Sequence, residues 1–169
     1  MLRKLIIYSL ALLCTGCVKT ARQPPAALKF IDIHKDQYGD YNFLFSSNTD
    51  LFTIFDIPES SKTPPALICS FDGDMDFAWS HLIYAQAVGV VTRTADPTRY
   101  EAQMQFQYTH RNGEPAPLNS YEYYLPLLQG GSAINCKVSV TSWGFKPYLS
   151  QVLTVPSALM LERFGQKAQ

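Results

Sequence analysis

The chain has 169 residues, of which 47% are hydrophobic and 13% aromatic, and this length suits a single folded domain rather than an enzyme with separate cofactor and substrate domains. Its 14 Lys and Arg residues balance its 14 Asp and Glu residues, so the chain lacks the strongly basic field that a nucleic-acid-binding protein needs. The composition is also too apolar for a disordered segment, and its many aromatic residues favour β-strands.

The first sixteen residues have the three parts of a signal peptide. Arg3 and Lys4 are basic, residues 5–13 are apolar, and the residues up to Gly16 are small. An apolar run of about nine residues spans roughly 13 Å as a helix, less than half of the ~30 Å hydrocarbon core of a bilayer. We therefore predict cleavage between Gly16 and Cys17 rather than a membrane span. An ordinary secretory signal peptide with an incidental cysteine is the alternative.

The four residues Cys14, Thr15, Gly16 and Cys17 resemble the lipobox of bacterial lipoproteins, where a signal peptidase of the second type cleaves before a lipid-modified cysteine. Small residues at this point leave the thiol and the adjoining peptide bond accessible. The resemblance implies acyl chains, palmitate among them, on Cys17, and several chains anchor a protein firmly at ~0.8 kcal/mol per buried CH₂. The sequence departs from the family at Cys14, where Leu is most common.

The residues after the lipobox indicate location and a linker. Val18 stands where enteric lipoproteins retained in the inner membrane have Asp, so the resemblance implies the cell outer membrane, with the protein facing the periplasm. The following residues are polar and include Pro24 and Pro25. We therefore predict that residues 17–27 form a lipidated, flexible tether and that residues 28–169 form the folded domain.

Nine segments of the domain have the composition or the alternation of strands, and no β-α-β alternation appears. They are Leu28–Ile33, Tyr41–Ser46, Leu51–Ile57, Ala66–Phe71, His81–Thr92, Tyr100–His110, Tyr121–Leu127, Ile134–Ser142 and Leu149–Val155. Apolar and polar residues alternate throughout Tyr100–His110, which is typical of an antiparallel sheet with one face in a core. Asn112-Gly113 predicts a tight hairpin turn with two positive φ angles, and Pro156-Ser157 predicts the start of a short C-terminal helix.

Two cysteines, Cys69 and Cys136, lie in predicted strands on the faces that carry apolar residues. An oxidising periplasm favours a disulfide between them, and two separate buried thiols are the alternative. The order Cys69, Trp79, Cys136 resembles immunoglobulin-like sandwiches, in which a disulfide joins two sheets and a Trp packs over it. We therefore expect an all-β, antiparallel β-sandwich of immunoglobulin-like or transthyretin-like architecture.

Three carboxylates alternate directly after the Cys69 strand, at Asp72, Asp74 and Asp76. Hard cations bind such oxygens, which makes these residues candidate calcium ligands. The EF-hand pattern fails, because Phe77 and Ile83 occupy the positions that need Gly and Glu. An exposed turn explains the same residues without a metal, since Asp and Gly favour turns.

The sequence has no recognised catalytic or cofactor motif, and His34, His81 and His110 lie on different predicted elements without metal-ligand spacing. We therefore predict a protein that is not an enzyme and that needs neither a cofactor nor a metal ion. An envelope hydrolase with a polar pocket near His81 or His110 is the third alternative in order of preference.

The candidate binding residues are Tyr123, Tyr124, Trp143 and Tyr148, because exposed aromatic side chains are good anchors for a protein or a sugar. The preferred alternative is that they cover the core, because most of the ten Tyr of a small β domain must be at least half-buried. The sequence thus predicts an outer-membrane lipoprotein, held on the bilayer through Cys17, that acts as a binding or assembly module for a protein partner in the periplasm, such as an accessory subunit of an envelope machine. A ligand-binding or effector-neutralising (immunity) lipoprotein is the main alternative.

Overall fold

The computed structural model describes residues 18–58, 61–78 and 80–165, so Gly16, Cys17, the rest of the predicted signal peptide and Trp79 lie outside the described residues. Within these ranges eight strands form one sheet. The strands are β1 (Leu28–Lys35), β2 (Tyr41–Ser47), β3 (Ala66–Ser70), β4 (Ala85–Arg93), β5 (Arg99–Tyr108), β6 (Ala133–Val140), β7 (Tyr148–Leu149) and β8 (Leu153–Pro156). A 3₁₀ helix (Tyr121–Tyr123) precedes helix α1 (Leu125–Gly130), and helix α2 (Ser157–Gly165) follows β8.

Neighbouring strands are antiparallel in the order β1, β2, β5, β4, β3 and β6, and both β7 and β8 pair with β6. The sheet curls into a half-barrel, which brings β1 into contact with β8. Tyr100, Ala102, Met104 and Phe106 of β5 are buried inside the curl, and the polar residues between them face outward. The alternation in the sequence therefore separates the core from the solvent-facing surface.

The predicted antiparallel, β-rich fold with a short C-terminal helix is confirmed, but the sandwich is not. A sandwich buries its core between two sheets packed face to face. Here one sheet curls around the core, and loops and helices cover the two ends of the half-barrel. The immunoglobulin-like or transthyretin-like architecture was expected from an order of residues that does not specify how many sheets form.

We call the two ends of the half-barrel the near end and the far end. The near end carries residues 18–27 and the loops 48–58, 61–65, 94–98 and 141–147, and the far end carries the loops 36–40, 71–78, 80–84 and 109–132. At the far end the ring of Phe164 on α2 lies 5.0 Å from that of Tyr41 and 5.0 Å from that of Tyr121. At the near end the rings of Phe55 and Phe145 are 4.6 Å apart. Aromatic side chains thus close both ends of the core.

Two segments predicted as strands have other structures: residues 51–57 form turns and bends, and residues 121–127 form the 3₁₀ helix and the start of α1. Aromatic and branched residues make both segments resemble strands in composition. Their buried side chains, however, are spaced by three or four residues, as in Leu51 and Ile54 or in Tyr124 and Leu128. Burial at helical spacing therefore overrides strand propensity in both segments.

The segment predicted as a strand at 149–155 is also interrupted, since β7 ends at Leu149 and β8 begins at Leu153. Ser150 causes the break, because its Oγ accepts a hydrogen bond from the amide of Val138, at 2.9 Å, where a backbone carbonyl would continue the ladder. This places a bend in the chain between β7 and β8.

The turn at Asn112-Gly113 forms, but without the predicted pair of positive φ angles and without a return strand. Only Gly113 of the two has a positive φ, +88°, and its amide donates to the carbonyl of His110 at 2.8 Å. Beyond the turn the chain stays beside β5 without forming a strand: Thr109 and Pro115 form an isolated bridge, and the amides of Ala116 and Asn119 donate to the carbonyls of Tyr108 and Phe106 at 2.8 and 3.0 Å. Pro115 has no amide hydrogen to donate, which interrupts a regular ladder here.

Residues 18–27, predicted as part of a flexible tether, are held against the near end. The amide of Lys19 donates to the carbonyl of Gly144 at 3.0 Å, and the amide of Lys146 donates to the carbonyl of Lys19 at 2.8 Å. Ala26 is buried, and its carbonyl accepts from the amide of Gln151 at 2.9 Å. The ordered part of the domain therefore begins by Lys19 rather than near Leu28.

The predicted disulfide is present between Cys69 on β3 and Cys136 on β6. The two residues are direct partners in the antiparallel ladder, with their Cα atoms 4.0 Å apart, and both side chains are fully buried. The bridge therefore joins adjacent strands of one sheet and does not link two sheets as in an immunoglobulin domain. It closes a long segment of chain, because 67 positions separate the cysteines.

Replacing both cysteines by Ala should lower the free energy of unfolding by roughly 4 kcal/mol, because the unfolded chain regains the entropy that the closed loop removes. Denaturant unfolding of the double variant and of the reduced wild-type protein should give similar midpoints, both below that of the oxidised protein. Alkylation of Cys69 and Cys136 in protein kept without reductant would contradict the pairing.

Candidate functional site

The acidic loop at the far end is organised by its own backbone. Asp72 accepts from the amide of Asp74 at 3.2 Å, Asp74 from the amide of Asp76 at 2.9 Å, and Asp76 from the amide of Ala78 at 2.9 Å. These are three successive side-chain-capped turns, a pattern that Asp forms readily. Asp72 also accepts from the hydroxyl of Ser70 at 2.8 Å, which fixes the loop to the end of β3. The alternation that suggested calcium ligands is thus the repeat of a turn.

The carboxylates of this loop do not converge on one point. Within the described residues, no group of three or more His, Cys, Asp or Glu side chains is placed to hold a metal ion. The three carboxylates form turns in the structure, and calcium binding by Asp72, Asp74 and Asp76 stays a prediction.

His81 crosses the acidic loop and pairs with two of its carboxylates. Its Nε2 lies 2.5 Å from Asp74 Oδ2, and its Nδ1 lies 3.7 Å from Asp76 Oδ2. The hydrogen bond to Asp74, supported by the nearby negative charges, raises the pKa of His81 above its usual value. The same hydrogen bond lowers the pKa of Asp74. His81 is therefore a clamp that contacts two carboxylates of the loop, and protonation of its ring strengthens both contacts.

The other two histidines contact other groups. His34 pairs with Glu101 at 3.0 Å on the outer face of the sheet. His110 packs edge-on against the rings of Tyr108 and Tyr123, at 5.3 and 5.2 Å. Among the described residues, neither His81 nor His110 is hydrogen-bonded to a serine or cysteine that could serve as a nucleophile, so the hydrolase alternative gains no support.

The four candidate aromatic residues separate into structural and exposed side chains. Tyr124 is buried and donates to the carbonyl of Gln86 at 3.0 Å, and Tyr148 is buried and donates to the carbonyl of Pro24 at 2.9 Å. Tyr123 is half-buried and stacks on Tyr108 at 4.8 Å. Trp143 is 97% exposed at the near end. Of the predicted binding residues, Trp143 is therefore the one that presents its whole ring to the surroundings.

Apolar side chains that the sequence analysis overlooked are exposed in the loops of the far end. They are Leu118 at 62%, Leu82 at 50%, Met75 at 47% and Tyr84 at 44% of full exposure. The two loops that carry them adjoin, because the amide of Thr109 donates to the carbonyl of Tyr84 at 2.7 Å. The sequence feature that could have identified these exposed side chains is the presence of large apolar residues in segments rich in turn-forming residues.

Charge is distributed unequally between the two ends, although the whole chain is neutral. The described far-end loops carry one arginine, Arg111, against seven acidic residues. These acidic residues are Asp36, Asp40, Asp72, Asp74, Asp76, Glu114 and Glu122. The described near-end loops carry four basic and three acidic residues, and two of the acidic ones pair with arginines, Asp50 with Arg93 and Asp96 with Arg99. The far end is thus the acidic end.

The outer face of the sheet carries an open groove of about 540 Å³ across β2, β5 and β4. Its lining includes Val88, Val90, Gln103, Gln105 and Gln107, all at outward-facing positions of the alternation. The side-chain amide of Gln103 donates to the carboxylates of Asp36 at 3.2 Å and Asp40 at 3.0 Å. Part of the polar surface of the groove is therefore already hydrogen-bonded within the protein. This groove can accommodate a polar ligand, but it is open to solvent.

Fold and surface together define the protein as a member of the β-rich class, with one curled antiparallel sheet and two chemically different ends. Comparison with protein-family models, with curated proteins and with solved structures finds no significant match to this chain. Among the described residues, no helix has the length and apolar character needed to cross a bilayer.

The clamp formed by His81 predicts a pH dependence of the far-end loop. Because the folded-state pKa of His81 is raised, the stability that His81 contributes to the folded state is fully present below the ordinary pKa of ~6.5. This stability is lost as the pH rises through the folded-state pKa. Because the pKa of Asp74 is lowered, the stability that Asp74 contributes is present above pH ~3.9 and is lost as the pH falls through the lowered pKa.

An NMR titration should place the pKa of His81 above 6.5, and Asp74→Asn should bring it back toward that value. An unchanged titration in Asp74→Asn would show that the pair does not form, and Asp76→Asn, which removes the more distant carboxylate, should have the smaller effect.

Proposed function

We propose that this protein is a lipoprotein of the cell outer membrane, anchored through acyl chains on Cys17 at the periplasmic face, and that it acts without catalysis as a binding or assembly module. The observation that supports this function most directly is the group of exposed apolar side chains on the far-end loops, opposite the end where the described chain begins. Such a module is typical of an accessory subunit of an envelope machine.

The exposed far-end side chains favour a protein partner over a small ligand. Leu82, Leu118, Met75 and Tyr84 project from adjoining loops, and burying them against another protein removes apolar surface from water. Apolar residues within a polar rim are the usual arrangement of a protein interface. Here the rim is acidic, so the complementary surface of the partner is basic.

The groove on the outer face supports a second candidate function, the ligand-binding or effector-neutralising lipoprotein. Its volume of about 540 Å³ lies within the ordinary range for ligand sites. Its lining, however, contains amides and carboxylates without an aromatic side chain, and its openness gives a ligand little enclosure. The assembly module is therefore the preferred proposal.

The lipid anchor is tested by changing Cys17 to Ala and following the incorporation of labelled palmitate and the fractionation of membranes. The variant should carry no label and should leave the outer-membrane fraction, because the acylated thiol is gone. Cys14→Ala is the matched control, since Cys14 belongs to the predicted signal peptide, and this variant should keep the label. Label retained on Cys17→Ala would defeat the assignment.

The partner surface is tested with a photo-crosslinking amino acid placed at Leu82 or at Leu118 in the full chain in its native membranes. Val90, 59% exposed on the outer face of the sheet, is the matched control because it is an equally accessible apolar position in the groove. We expect a discrete crosslinked product from both far-end positions and none from Val90. A product from Val90 alone would favour the ligand- or effector-binding alternative.

A further inference from the structure

Trp143 occupies the tip of a tight turn at the near end. The amide of Phe145 donates to the carbonyl of Ser142 at 3.2 Å, and Gly144 has a φ of +78°, which suits the third position of such a turn. The ring of Phe145 packs on Phe55 at 4.6 Å and holds the turn in place. The indole of Trp143 is thereby presented away from the core, 97% exposed, although Trp buries more apolar surface than any other side chain when it is covered.

The described start of the chain is fixed to this same turn. Lys19 donates its amide to Gly144 and accepts from Lys146, so it forms a short parallel bridge with the residues around the turn. Val18 precedes Lys19 and is 55% exposed. Cys17, the proposed site of acylation, is two positions before Lys19 in the sequence. Acyl chains on Cys17 would therefore be joined to the chain within two residues of the segment that is fixed to this turn.

The side chains around the turn match the chemistry of a bilayer surface. Trp is enriched at the level of the lipid headgroups, where its ring is apolar and its indole N–H reaches polar groups. Lys19 and Lys146 are both exposed, and the Lys19 ammonium lies 5.7 Å from the centroid of the Phe145 ring. Lysines at a bilayer surface extend toward the phosphates while their alkyl stems contact apolar surface. The ends also differ in charge in the direction that keeps the acidic far-end loops away from anionic lipids.

We propose that the near end, formed by Val18, Lys19, Trp143 and Lys146, docks directly on a phospholipid bilayer with Trp143 as an interfacial anchor. This inference rests on the proposed lipidation of Cys17, which supplies the membrane attachment. It adds an orientation: the half-barrel stands on the membrane by its near end, and the far-end loops point into the periplasm. The occupant of the exposed Trp143 surface is the lipid headgroup region, not a protein.

The orientation is tested with the mature, acylated protein reconstituted in vesicles of phosphatidylethanolamine and phosphatidylglycerol that contain phospholipids brominated on their acyl chains. Bromine quenches indole fluorescence at short range, and the chain has two tryptophans. Trp79→Phe leaves Trp143 as the sole emitter. We expect strong quenching and a blue-shifted emission maximum, both lost when the protein is released from the vesicles.

The matched control moves the tryptophan to the far end. Tyr38 is an 81% exposed aromatic residue in a turn and is followed by Gly39 with a φ of +89°, so, like Trp143, it is an exposed aromatic residue directly before a glycine of positive φ. In the triple variant Tyr38→Trp, Trp79→Phe, Trp143→Phe the emission should be quenched several-fold less. A second comparison leaves Trp79 in place. The indole fluorescence of the wild-type protein should be quenched more strongly than that of the Trp143→Phe variant.

Flotation of the protein with the vesicles, together with the mass of its N-terminal peptide, separates the two hypotheses. Protein that is acylated and floats, but whose Trp143 is quenched no more than the tryptophan at position 38, overturns the orientation and leaves the lipid anchor intact. A peptide without acyl chains overturns the anchor and the orientation together. A protein could instead cover Trp143 selectively when the sample is in detergent without a bilayer. That result would also count against a lipid occupant.

Discussion

The structure depends on how a single curled sheet covers the core that it encloses. A sheet in this form has two free edges and two open ends, and each exposes backbone groups or apolar side chains unless something covers it. In this protein α2 and the 3₁₀ helix cover the far end, whereas the segment 18–27 and the loop 48–58 cover the near end. Tyr148 connects these parts at the near end, since its hydroxyl donates to Pro24 and accepts from the amide of Ala26. The segment 18–27 is thus part of the fold, which its polar, Pro-containing sequence did not indicate.

The sequence is informative wherever one residue type has one structural outcome. The alternation in β5 predicts both the strand and its buried face, and the burial of Cys69 and Cys136 on apolar faces predicts that they can meet. Prediction fails where composition is shared by two structures. The aromatic residues of 121–127 suit a strand as well as a helix, and only the contacts of Tyr124 and Leu128 with the core decide between them. The number of sheets likewise depends on curvature, which no local pattern contains.

The candidate sites show the same limit. Three alternating carboxylates are compatible with a cation or with a series of turns, and the difference lies in where the oxygens point rather than in which residues are present. The amides of Asp74, Asp76 and Ala78 donate to these oxygens, and the ring of His81 pairs with the Asp74 carboxylate. Tyr124 and Tyr148 similarly use their hydroxyls for the backbone. Trp143 and the far-end apolar residues differ because they have no such partner within the described residues, and this distinction requires coordinates.

The docked amino-terminal segment changes how far a lipid-anchored form of this protein can reach. A free tether of eleven residues, 17–27, could extend by about 35 Å at ~3.3 Å per residue, enough to let the domain tumble above the membrane. With Lys19 fixed to the turn of Trp143, almost none of that length is available. Strand β5 has 10 residues and therefore spans about 33 Å, which would set the order of height of the far-end loops above the bilayer in a form that is docked by its near end. A partner that contacts Leu82 and Leu118 must then present its own surface at this height and in a fixed orientation. Such a constraint suits a component of a membrane-embedded assembly better than a freely diffusing ligand, because both surfaces are held in register by the same membrane.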